Sequence, residues 1–124
     1  KSRTRLAMEA WMAEWAEYYD NDRVVIMQIP LSLRHDYRAT EADIEELSSL
    51  AALVAGTDCG VTLRELEGGK VKISLRTGPR VNATAVCALL GGGGHAAAAG
   101  ATISGSMKEA KQAVLQAIDM VVGE

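Results

Sequence analysis

Long apolar runs are missing from this sequence: no stretch approaches the roughly 18 residues that a membrane-crossing helix requires, so no span is expected. The amino-terminal segment is too charged and too Trp-rich for a secretory signal, and the expected compartment is the cytoplasm. Cysteine is scarce, with only Cys59 and Cys87. They lie far apart in apolar surroundings, which favours two reduced core thiols over a disulfide framework. A basic excess is also missing: 13 Lys and Arg against 16 Asp and Glu give a formal charge of −3. Long nucleic acid held by bulk electrostatics needs a basic face, so that class is disfavoured. A short phosphorylated ligand needs only a few well-placed cations and stays open. Histidine is confined to His35 and His95, and His35-Asp36 stands alone without ligand spacing. No catalytic residue and no metal ligand is therefore expected here. There is no internal repeat, and the chain opens at Lys1 inside a helical pattern, which reads as a fragment or a processed product.

What is present is enough apolar content, 48% of 124 residues, for one core and too little chain for two ordinary domains. Strong helix formers from Ser2 to Tyr19, with Leu6, Trp11, Trp15 and Tyr18 on more than one face, predict an opening helix with apolar surface to spare. Asp20-Asn21-Asp22 breaks it. The β-branched run from Arg23 to Ile29, stopped by Pro30, predicts an interior strand. Leu31 to Ala39 reads as irregular, and Thr40 with Asp43 marks the start of a helix running to Gly56. Alternating residues 61–66 and 71–76 flank Glu67-Gly68-Gly69 and predict a hairpin. Placing Val61, Leu63, Val71, Ile73 and Leu75 on one buried face demands an odd loop length, which a three-residue Glu67-Gly68-Gly69 turn supplies. Thr62, Arg64, Lys72, Ser74 and Arg76 then share the opposite face. Asn82 caps a short helix, Ala101 to Ser104 reads as a last strand, and Ser106 with Glu109 forms a capping box for a closing helix. The expected architecture is α+β, a single domain with a mixed sheet packed against helices, a glycine-rich loop at one end and a C-terminal helix.

The chemistry concentrates at Gly91-Gly92-Gly93-Gly94-His95. Glycines leave backbone N–H groups unshielded, so consecutive amides can meet an anion, and an imidazole alongside adds a donor. No Gly-Lys-Ser/Thr follows, and the spacing is not that of a dinucleotide fingerprint. The small residues after His95 allow close backbone packing, which keeps the segment rigid. Arg76 ends the preceding strand with Ser74 on its face, and its guanidinium suits bidentate phosphate contact. Ser74, Arg76, Gly92, Gly93, Gly94 and His95 are the candidate substrate-binding residues, with Arg64 and Arg80 as additional candidates.

Ser74-Leu75-Arg76-Thr77, then Gly91 to His95, then Ala98-Ala99-Gly100 resembles the DHH-associated domain of DHH-family phosphoesterases. The likeness extends over residues 23–124 in layout and is strongest from Gly60 onward. The four-glycine form is most similar to the oligoribonucleases that also dephosphorylate 3′-phosphoadenosine 5′-phosphate, often called nanoRNases. The resemblance implies a two-domain enzyme. An amino-terminal DHH domain, absent here, would hold two metal ions, usually manganese, and residues 23–124 would clamp a short oligonucleotide or nucleoside phosphate. Residues 1–22 would connect the two domains, and the fragment alone would be inactive. The resemblance assigns substrate contact to Arg76 and to Gly92, Gly93, Gly94 and His95, with Ser74 in support. Cyclic-dinucleotide phosphodiesterases, RecJ-like exonucleases and a stand-alone RNA-binding module, as appended to alanyl-tRNA synthetases, remain alternatives.

Overall fold

The computed structural model describes residues 1–123. In chain order the elements are α1 (Arg3–Glu14), β1 (Glu17–Tyr19), β2 (Val24–Ile29), α2 (Leu31–Asp36), α3 (Glu41–Leu47), a 3-10 turn (Leu50–Leu53), β3 (Cys59–Leu66), β4 (Lys70–Thr77), α4 (Ala83–Ala88), β5 (Gly93–His95), β6 (Ala98–Ser104) and α5 (Met107–Val122). The strands form one sheet in the order β1-β2-β3-β4-β6-β5. Only β2 and β3 run parallel. A parallel pair needs a long crossover, and α2, α3 and the 3-10 turn provide it. The fold is a single α+β domain with a mixed sheet and a C-terminal helix, as the pattern of elements predicts.

Helices cover the sheet unequally. One face presents Val24, Ile26, Val61, Leu63, Val71, Ile73 and Leu75 to α4 and α5, which contribute Val86, Cys87, Val114 and Ile118. The other face is covered by apolar side chains chiefly over β2: Val25, Met27 and Ile29 pack against Met8, Met12, Ile44 and Leu47 of α1 and α3. Burial on both sides is why β2 is apolar at almost every position, whereas β4 alternates. The expected hairpin register is found, with Leu66 opposite Lys70 and Val61 opposite Leu75. Gly68 and Gly69 turn the loop at φ of +82° and +72°. Ser106 and Glu109 close the expected capping box on α5. Cys59 and Cys87 are free and buried. Burial, with a smaller push from Asp58, raises the Cys59 thiol to about 12, so neither its reactivity nor a bridge shapes the fold.

Four boundaries differ from expectation. The opening helix ends at Glu14, because Asp20, Asn21 and Asp22 all adopt positive φ and fold residues 17–19 back against β2 as a short strand. Asn and Asp tolerate this backbone region better than other side-chain-bearing residues. Leu31–Asp36 is helical instead of irregular, anchored by buried Leu33 and by Glu65, whose Oε1 accepts from the Leu31 N–H at 2.9 Å. The helix expected to reach Gly56 stops at Leu47. Ser48 and Ser49 donate their hydroxyls to the Ile44 and Glu46 carbonyls, competing with the helical ladder. The 3-10 turn then lies directly on β3, where a Cβ at Gly60 would stand 2.6 Å from the Ala51 carbonyl oxygen. Finally, β6 starts at Ala98, earlier than Ala101, because it is paired on both sides. Of the two tryptophans, Trp11 packs partly against the α1–α3 core while Trp15 is 62% exposed.

Candidate phosphate-binding site

Strand alternation puts Lys72, Ser74 and Arg76 on one face of β4, with about 6.7 Å between successive members. Their cross-strand neighbours define two transverse rows. In one, Arg76 stands opposite Ala98, and Ala98 opposite His95. In the other, Ser74 stands opposite Gly100, and Gly100 opposite Gly93. Directly paired residues project to the same side, so Arg76 and His95 share a face with Ala98 between them. Two strand spacings separate them, about 9.6 Å between backbones, a distance that a guanidinium and an imidazole can close on one small anion. The Ser74 row carries no side chain on two of its three strands. Its floor is bare main chain.

These rows form part of a cleft of about 290 Å³ lined by Lys72, Ser74, Arg76, Gly93, Gly94 and Gly100, with Glu45 and Ser48 at one wall. His95 is exposed and pairs with Ala98, which lines the cleft. Arg76 is exposed, and no ion pair occupies it among the described residues. An uncommitted guanidinium above an uncharged floor leaves its donors for a ligand.

The glycine run is not a loop throughout, as its composition had suggested. Gly91, at φ +80°, makes the turn, and Gly93, Gly94 and His95 are the edge strand β5. Gly92 does not line the cleft. Its N–H donates to the Cys87 carbonyl at 2.8 Å, and a Cβ there would sit 2.1 Å from the Gly100 carbonyl oxygen. An edge strand leaves alternate N–H and C=O groups unpaired, so amides are offered along the sheet margin. The other candidates lie elsewhere. Arg64 is 8% exposed, and its Nη2 donates to Glu41 Oε1 at 2.7 Å. Arg80 lines a separate depression with Asp20, Arg23 and Asp58. His35 is exposed, 3.8 Å from the Glu67 carboxylate. No group of three or more His, Cys, Asp or Glu suited to a metal ion occurs among the described residues, and no helix there is long and apolar enough to cross a membrane. Several lining residues, among them Lys72, Glu45 and Ser48, escaped the sequence reading as site members. Lys72 was visible on the right face, whereas Glu45 arrives from α3, and nothing local in the chain announces that approach.

The Arg64–Glu41 pair gives a pH dependence that can be measured. The Arg64 hydrogen bonds, aided by Arg34, hold the Glu41 carboxyl below the usual range. A depressed carboxylate contributes stability that is present above its unfolded value and lost as pH falls through its folded value. Glu41→Gln is therefore expected to lower Tm near neutrality and to converge on the parent as pH falls through the carboxylate range, which flattens the acid limb of a plot of Tm against pH. An acid limb identical to that of the parent would remove Glu41 from this role.

The sequence profile of the DHHA1 domain matches residues 21–124. The chain belongs to the DHHA1 domain family. Among curated proteins, the bifunctional oligoribonuclease and PAP phosphatase NrnA of Thermus thermophilus is 40% identical over 79 residues, which is 63% of this chain and 24% of that enzyme. An exopolyphosphatase-related protein from Bacteroides fragilis superposes with a TM-score of 0.88 at 22% identity, over 99% of this chain and 36% of the other. The pGpG-specific phosphodiesterase PggH of Vibrio cholerae superposes with a TM-score of 0.62 at 11% identity, over 98% and 40% of the two chains. At these identities the two structures establish the shared fold. The chain thus spans well under half the length of each of these relatives.

Proposed function

We propose that this DHHA1 domain is the substrate-holding part of a DHH-family phosphoesterase that acts on short oligoribonucleotides, on 3′-phosphoadenosine 5′-phosphate, or on both. The observation that carries the reading is the common face of Ser74, Arg76 and His95 over a floor of Gly93 and Gly100. The kinship with NrnA supplies the substrate class. Arg76 would take the phosphate by charge-assisted hydrogen bonds, Ser74 and His95 would add further donors, and the β5 margin would add main-chain N–H groups. Such a domain contributes orientation, holding the ester where a separate centre can attack it. Hydrolysis would be performed in a DHH domain on the same polypeptide. Manganese would be bound there, as the resemblance to DHH-family phosphoesterases implies.

The test is a titration of this chain with adenosine 3′,5′-bisphosphate, followed by amide chemical shifts. Saturable shifts are expected at Ser74, Arg76 and residues 93–95. Shifts concentrated around Arg80, or none at all, would remove the assignment. Tight binding of structured tRNA without binding of the short nucleotide would favour the RNA-module alternative.

A further inference from the structure

The cleft holds a second cation, and its surroundings differ from those of the first. Lys72 shares the face of Ser74 and Arg76 and lines the same cleft. It stands four residues from Arg76, about 13 Å along the strand. Lysine and arginine are long enough for both heads to lean inward over Ser74, which narrows that span to the width of one nucleoside. Arg64, the other cation in the Lys72 row, is buried and committed to Glu41. Lys72 is half-buried and has no hydrogen-bonded side-chain partner among the described residues. Its nearest carboxylate is Glu45, with Nζ 3.9 Å from Oε1, beyond hydrogen-bond reach.

Glu45 is the one carboxylate lining the cleft. It is drawn towards two cations at once, because Arg64 Nη1 lies 3.7 Å from the same Oε1. It is more than half exposed, on the wall that α3 brings over the strand. Loosely shared in this way, it masks the Lys72 charge without saturating it. A phosphate arriving at Lys72 would both displace this carboxylate and be repelled by it, whereas Arg76 has no carboxylate within ion-pair distance among the described residues, Asp58 lining an adjoining depression with it.

The geometry points to Lys72 as the residue that recognises a second phosphate, with Glu45 setting how strongly that phosphate counts. The inference rests on the reading of the Arg76 end as the first phosphate site and adds a substrate preference to it. Ligands with phosphates on both sides of one nucleoside are favoured over nucleoside monophosphates. A monophosphate fills the Arg76 end and leaves Lys72 with Glu45. A bisphosphate or a phosphorylated dinucleotide reaches both ends.

The experiment compares the affinities of adenosine 3′,5′-bisphosphate and adenosine 5′-monophosphate for this chain. Lys72→Gln is expected to weaken the bisphosphate about tenfold, as loss of one charge-assisted contact would, and to leave the monophosphate within about twofold. Lys72→Arg should retain the preference. Glu45→Gln should tighten the bisphosphate several-fold and leave the monophosphate unchanged. Equal weakening of both ligands by Lys72→Gln would reduce Lys72 to diffuse attraction and overturn the inference. An affinity ratio unmoved by Glu45→Gln would likewise defeat the masking role. Equal affinities of the parent chain for the two ligands would sink the second subsite and spare the first. Failure of both ligands to bind would overturn the phosphate-site reading and this inference together. Thermal melting of each variant reports that the fold is intact.

Discussion

Arg76→Ala is expected to weaken binding of adenosine 3′,5′-bisphosphate by roughly ten- to a hundredfold, the consequence of losing a charge-assisted contact of about 1.5 to 3 kcal/mol. Stability should be nearly unchanged. Arg76 is exposed and makes no ion pair among the described residues, and surface substitutions of that kind stay within about 0.5 kcal/mol. The separation of the two effects is the diagnostic part. Arg76→Lys should recover only some of the affinity, because an ammonium keeps the charge and loses the planar fork. Arg76→Ala with undiminished affinity and an unaltered Tm would leave the cleft without its principal anion ligand, and the proposed function would go with it.

Gly92→Ala has the opposite signature. A methyl there would meet the Gly100 carbonyl oxygen at 2.1 Å and the Ala101 Cβ at 2.7 Å. Both obstacles belong to β6, a paired strand with little freedom to retreat. Overpacking of this kind costs about 1 to 3 kcal/mol, or a fall in Tm of roughly 5 to 10 °C for a domain of this size. Binding should also fall, since β5 can no longer sit flush on β6. Gly93→Ala is the control. Nothing lies within 4 Å of a Cβ at that position and its φ is unremarkable for any residue, so stability should hold while the new methyl roughens the cleft floor. Calorimetric melting of the two variants separates them, and equal Tm values would contradict the packing described for Gly92.

The contrast between those neighbours also marks how far the chain could be read without coordinates. Four identical letters carry three different duties. Gly91 turns, Gly92 and Gly94 yield space to β6, and Gly93 floors the cleft. Composition announced that the segment matters and could not distribute the duties, because each depends on a strand that arrives later in the chain. Elements governed by near neighbours were legible: the β3–β4 register followed from period-2 alternation and loop parity, and α5 from its capping box. The end of α1, the helix at Leu31–Asp36 and the break after Leu47 were not. They depend on consecutive left-handed residues, on a bond from Glu65 34 positions away, and on serine hydroxyls competing with the helix. The candidate site divides in the same way. Ser74 and Arg76 were found from strand alternation within β4. Glu45 was not, since only the crossover between β2 and β3 brings it to that wall.

A floor made of bare peptide has a consequence for how such a domain could diversify. At Gly92 and Gly94 any addition is blocked by β6, whereas Gly93 has room for a Cβ. Changes of taste in descendants of this chain would then be written on the side chains around that bed, on Lys72 and on the bank carrying Glu45 and Ser48, or by a methyl at Gly93.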